Sequence, residues 1–343
     1  MGQRWLVGLA WVLVPLTLAA VGVFGARLVF ASDGSDANAT PPAAVPTPGG
    51  RPTTAAAAPA QPKKPTESPA DEPAGKPTDK PGKSPAKKPT PKGPPARAVY
   101  LGDSLAMENQ DVLADLLDES GSAKLRRAPH SGTTLCDYLE GSGDSLVPDE
   151  HKAATLVRTE RPKVVVLQFW GNSWGYTPCM KNIVHDTDPA TYYDRYAADA
   201  RALTGQIAKA ARDAGIPRPK LVWVLQGPDV MAPERVRRVN DIYRAQAKAA
   251  GDLISDAGAR VSRPGDRYTY VQKLPCNTYE RANPAYCTGG TTTELHRADD
   301  PLHFCLAPTT PKSQPCPVRS PGILRYCQAI AATVEDHLRE QRP

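Results

Sequence analysis

From residue 97 onward, short apolar runs alternate with stretches of helical spacing. Ala98–Leu101 reads as a short strand, and a helical pattern follows from Ala106 to Leu117. A second strand falls around Leu125. Val164–Leu167 is a continuous apolar run, as expected for a strand buried on both faces. Thr191–Ala214 has helical spacing, and Gly215 is placed to stop it. Leu221–Leu225 is another buried-type strand, a helix follows from Pro233 to about Ala250, and Ile323–Glu340 reads as a closing helix. Strands alternating with helices predict a three-layer α/β/α domain with a central, mostly parallel sheet. Residues 97–343 are numerous enough to fill one such domain. In sheets of this type ligands sit beyond the carboxyl ends of the strands. Ser104 and Asn172 each follow a strand and should project from that edge. Residues 260–320 are irregular and rich in Pro, Cys, Thr and Gly, and are read as disulfide-pinned loops that bring His303 to the same place.

The N-terminal part is different material. Trp5–Ala26 carries no charge over 22 residues, enough to cross a hydrocarbon core of about 30 Å at ~1.5 Å per residue. Residues 1–31 are therefore expected to anchor the chain in a membrane, with a signal cleaved after Val29-Phe30-Ala31 as the alternative. Arg4 and the α-amino group would keep the N-terminus cytoplasmic, so the remainder is exported. Residues 32–96 contain 17 Pro, no aromatic residue and a single large aliphatic, Val45. That composition cannot bury enough apolar surface to offset ordering, and predicts a disordered linker.

The net charge of +6 belongs mostly to this tail. Residues 1–96 hold 11 basic and 6 acidic residues (+5), and residues 97–343 hold 31 and 30 (+1). A nucleic-acid partner would want a basic patch on the domain, and the balance offers none; anionic wall polymers or lipid head groups suit the tail better. All seven cysteines lie at or beyond position 136. In an exported domain they read as disulfides. Seven choices of the odd cysteine times fifteen pairings gives 105 arrangements; the one adopted is Cys136–Cys179, Cys276–Cys287 and Cys305–Cys316, leaving Cys327. No zinc-type spacing occurs, and neither a metal nor an organic cofactor is called for.

Two short stretches carry the chemistry: Gly102-Asp103-Ser104-Leu105 and Asp300-Pro301-Leu302-His303. A serine hydroxyl needs a neighbouring base to act as a nucleophile, and an imidazole needs a third group to fix its tautomer. Asp300, with Asp299 as the neighbouring alternative, would supply that group. Attack on an ester develops charge on the carbonyl oxygen. Gly132, in His130-Ser131-Gly132-Thr133, can bring its N–H close to a ligand; Asn172, in Trp170-Gly171-Asn172-Ser173, offers a side-chain donor, and the Ser104 N–H a third. Trp170, Trp174 and Tyr176 are candidates either for a sugar-binding cleft or for the core.

Ser104, Gly132, Asn172 and His303 stand in the order and spacing of the SGNH (GDSL-type) hydrolase superfamily, which residues 97–343 resemble. The resemblance implies a Ser104 nucleophile, a His303 base oriented by Asp300, and an oxyanion hole from Ser104, Gly132 and Asn172. One departure matters: the third block usually reads Gly-x-Asn-Asp, whereas Gly171 and Asn172 are adjacent here and Ser173 follows. That form is more similar to exported actinobacterial members and to SGNH domains attached to membrane acyltransferases. The expected function is a monomeric cell-surface serine esterase removing acyl groups from glycans or other extracellular esters. An O-acyltransferase acting on a wall or surface polysaccharide, and a non-catalytic wall-binding protein on the same fold, are the alternatives.

Overall fold

Five parallel strands in the order β2-β1-β3-β4-β5 form the centre of the domain: β1 Ala96–Gly102, β2 Ala123–Arg127, β3 Val164–Gln168, β4 Lys220–Val224 and β5 Leu253–Ser255. The computed structural model describes residues 94–172, 176–307 and 314–341. The apolar segment 5–26 and all but the last three residues of the expected linker lie outside them. Among the described residues no helix is long and apolar enough to cross a membrane.

Alternation along each strand divides the core in two. Ala98, Tyr100, Val164, Val166, Val222 and Val224 face one layer, with α1 (Ser104–Glu119) and α6 (Pro321–Glu340). Val99, Leu101, Val165, Leu167, Leu221 and Trp223 face the other, with α2 (Ala153–Glu160), α3 (Pro189–Asp213) and α4 (Pro233–Ala250). The expected three-layer α/β/α architecture is therefore present. Burying both faces stabilises at roughly 1.5–3 kcal/mol per large side chain, which is why β3 is apolar at every position but its last. Edge strand β2 instead exposes Lys124, Arg126 and Arg127, charges that discourage pairing with another chain.

Some boundaries move. β1 begins at Ala96, which pairs with Ala123, one residue before the boundary drawn at 97. Helix α1 begins at Ser104 rather than Ala106, because Asp103 caps it by accepting from the Leu105 N–H at 3.1 Å. Helix α2, strand β5 and a hairpin of β6 (Lys273–Pro275) and β7 (Thr292–Glu294) flanking α5 (Thr278–Ala282) were not expected. The disulfides are Cys136–Cys179, Cys276–Cys287 and Cys305–Cys316, with Cys327 free and buried, as paired from the sequence.

Gly102 closes β1 where the chain must turn. A Cβ there would lie 2.1 Å from the Gln168 carbonyl oxygen and 2.4 Å from the Ala106 Cβ. Only glycine lets β1 and β3 approach this closely while α1 starts immediately afterwards.

Candidate active site

The ends of β1, β2 and β3 lie side by side, and each hands its chain to a loop bearing one of the expected residues. Ser104 is the first residue of α1, so its N–H belongs to the positive end of a 16-residue helix. The loop after β2 is tied to β1 by the His130 N–H donating to the Gly102 carbonyl at 2.9 Å and by the Thr133 hydroxyl reaching the same oxygen at 3.2 Å. Tyr138 braces both strand ends, its single hydroxyl proton shared between the Gly102 and Ala128 carbonyls at 2.7 and 2.9 Å. Within this loop Gly132 adopts φ +76°, a conformation other residues avoid, and the Tyr176 ring lies 3.2 Å from where a Cβ would sit.

Asn172 follows β3 and joins the loops together. Its side-chain amide donates to the Thr133 carbonyl at 2.9 Å and lies 3.4 Å from Asp103 Oδ2. Asp103 itself is fully buried and also accepts from the Trp170 N–H at 2.6 Å. Burial pushes its carboxyl up to about 6, against the pull of the Trp170 and Leu105 amides. One carboxylate thus fixes the start of the serine's helix and the loop that carries Asn172.

His303 comes from far along the chain, and its Nε2 stands 3.0 Å from Ser104 Oγ. Its Nδ1 lies 3.1 and 3.0 Å from the two oxygens of Asp300. An ionised Asp300 can only accept, so Nδ1 carries the proton and Nε2 is left to accept from the serine. Burial works to raise the Asp300 pKa, but the bond to His303, the imidazole's charge and the Leu302 and His303 amides hold it at about 2. Burial alone would lower the His303 pKa; the bond to Asp300 and the charges of Glu108, Asp300 and Asp103 outweigh it and leave the imidazole above its usual value. Asp299 is turned outward against Arg297 at 2.9 Å and plays no part in this relay.

Two partners of the site escaped the sequence reading. His296 is buried and its Nδ1 donates to the His303 carbonyl at 3.0 Å. Glu108 is buried one helical turn beyond Ser104, and accepts from the Phe304 and Cys305 N–H groups at 2.9 and 3.1 Å. Four-residue spacing places it on the serine's face of the helix, but nothing in the local sequence marks its distant partners. Of the aromatics considered for a cleft, Trp170 is core, with the Arg235 guanidinium 3.9 Å above its ring. Tyr176 is 57% exposed, and Trp174 lies outside the described residues. Cys136, Asp137 and Cys179 come within metal-sharing distance of one another, but the two cysteines form a disulfide.

No family model and no curated protein sequence matches the chain. Solved structures similar to it include a GDSL-like lipase from Bacteroides thetaiotaomicron, at 15% identity and a TM-score of 0.38, covering 72% of this chain and 89% of that one. A catalytic mutant of an acetylxylan esterase from Geobacillus stearothermophilus has 14% identity and a TM-score of 0.41, with coverages of 70% and 94%. A psychrotrophic esterase from Pseudoalteromonas has 13% identity and a TM-score of 0.38, with coverages of 71% and 99%. All three TM-scores lie below 0.5.

Proposed function

We propose that the protein is a serine esterase of SGNH type, and the observation that carries this is the continuous relay from Ser104 through His303 to Asp300. His303 Nε2 takes the hydroxyl proton as Ser104 Oγ bonds to the ester carbonyl carbon, and the carbonyl π pair moves onto oxygen. The imidazolium so formed is held by Asp300. The intermediate collapses, the alkoxide leaves with the proton from Nε2, and an acyl-serine remains. Water then adds by the same route in reverse and releases the acid. The oxyanion is received by the N–H groups of Ser104 and Gly132 and by the Asn172 amide, where a single donor is worth roughly 3–4 kcal/mol. In the resting site one Asn172 amide hydrogen serves Thr133, and the longer contact, to Asp103, is the one an oxyanion would compete for.

The finer reading is an acylated glycan or similar ester outside the cytoplasm. It is supported by three disulfides, by the exposed Tyr176 ring beside Gly132, which suits stacking on a sugar, and by the apolar segment and linker of residues 1–96. Turnover of p-nitrophenyl acetate by the full chain, with Ser104→Ala as control, tests the esterase; equal rates for the two would sink it. Partition of the acyl group between water and an added oligosaccharide separates hydrolysis from transfer.

A further inference from the structure

Glu108 is a buried acid without an ion pair among the described residues. It is 4% exposed, and among the described residues no lysine, arginine or histidine lies within ion-pairing distance of it. Its two oxygens are divided between the N–H groups of Phe304 and Cys305, the two residues directly after His303. Its own carbonyl accepts from the Cys316 N–H at 3.3 Å, and Cys316 is disulfide-bonded to Cys305. One residue of α1 therefore holds both ends of the disulfide-closed loop beyond His303. Because Ser104 and Glu108 are four residues apart in the same helix, they share a face, separated by about 6 Å along the axis.

Burying a carboxylate this deeply is costly, and a neutral side chain would spare that cost. Glutamine would not do the same job. It has one acceptor oxygen for two inward-pointing N–H groups, and its NH₂ would face the second of them.

We propose that Glu108 is a positioning residue for the esterase relay: it ties the backbone immediately after His303 to the helix that carries Ser104 and, when ionised, places a negative charge next to the segment that bears the imidazole. The inference rests on the serine-esterase reading above. Geometry supplies the first half, since the base and the nucleophile otherwise come from segments 199 residues apart. The second half follows from charge. The groups facing Glu108 are His303, Asp300 and Arg297 on the histidine loop and Cys327 on α6. Burial pushes the Glu108 carboxyl up to about 7, opposed by His303 and the two amides. As an anion, Glu108 makes His303 more basic and favours the imidazolium of each transition state.

The test uses full-length wild type, Glu108→Gln and Ser104→Ala, with p-nitrophenyl acetate across pH; rates of wild type and Glu108→Gln are normalised to sites titrated by a fluorophosphonate, and those of Ser104→Ala to total protein. Glu108→Gln should lower kcat by about tenfold to a hundredfold, the range for losing one charge-assisted hydrogen bond, with KM within about twofold. The acid limb of kcat/KM should move to lower pH, because an imidazole without this neighbour loses its proton more readily. A merely structural role would reduce the titratable sites and leave the limb in place. An acid limb that stays where it is overturns the proposal. Should Glu108→Gln not fold, the wild type decides: the Phe304 and Cys305 amide protons should shift together as the Glu108 carboxyl titrates, and amides that ignore that titration overturn it. If Ser104→Ala matches wild type, it is the relay reading that falls; if only Glu108→Gln does, only the present inference falls.

Discussion

Replacing Asp300 by asparagine should lower the proposed esterase activity more than removing the side chain altogether. Asp300 Oδ1 accepts from the Leu302 N–H at 3.3 Å, the His303 N–H at 3.1 Å and the His303 Nδ1 at 3.1 Å. Oδ2 faces Nδ1 alone at 3.0 Å, and the Arg297 guanidinium at 3.9 Å is too distant for a hydrogen bond. In Asp300→Asn the carbonyl oxygen keeps the Oδ1 place, where two backbone donors point at it. The NH₂ then falls at Oδ2 and donates to Nδ1. Nδ1 must accept, so Nε2 carries the proton and can no longer take one from Ser104. The charge effect is common to both variants. A carboxyl held at about 2 instead of 3.8, by His303 and the Leu302 and His303 amides against burial, is a net stabilisation of the anion of about 2 kcal/mol at ~1.36 kcal/mol per pKa unit. Losing the imidazolium's share of it in Asp300→Ala should reduce kcat about 10–30-fold. The wrong tautomer in Asp300→Asn should take the loss toward ~10⁴-fold. Steady-state turnover of p-nitrophenyl acetate measures both, and ¹⁵N shifts of the His303 ring report the tautomer. An Asp300→Asn enzyme as active as Asp300→Ala, or a ring still protonated at Nδ1, would refute the reasoning.

Other outcomes follow from the same geometry. The pH profile of kcat/KM should rise through the His303 pKa, above its ordinary 6.5, because the base works only when neutral; a midpoint below 6.5 would contradict the Asp300 and Glu108 assignments. Asn172→Ala should lower kcat by about 10²–10³-fold with little change in KM if its amide serves the oxyanion. A KM effect alone, read from the same assay, would make it a binding residue. Cys327 is buried, its thiol bonds the Asn109 carbonyl at 3.4 Å, and burial raises its pKa, so a disulfide-exchange reagent should find no reactive thiol in the native protein and one after denaturation.

Long, strongly patterned segments were legible in the sequence. β3 and β4 are apolar because helices cover both faces, and α3, α4 and α6 announce themselves by spacing. What escaped is short or depends on distant partners. β5 has three residues and exists because β4 offers it an edge. Helix α2 spans only eight residues and is held by packing on α3 in the second core layer. The β6–β7 hairpin sits in a segment where proline and cysteine hide the alternation. Within the site, Ser104, Asp300 and His303 were readable because each has a motif around it. Asp103 looked like part of the serine's motif, not like the pin that also holds Asn172. Glu108 resembled any polar residue of an amphipathic helix, since its partners lie 196 and 197 residues away. Local patterning carries no information about such a contact.

Everything in the proposed chemistry depends on Ser104 being an activated nucleophile. Wild-type full-length protein treated with a fluorophosphonate should gain one phosphonyl adduct, located by peptide mass on Ser104, and Ser104→Ala and denatured wild type should gain none. An unmodified Ser104 under conditions that label a reference serine esterase to completion, or an adduct on another residue, would contradict the account.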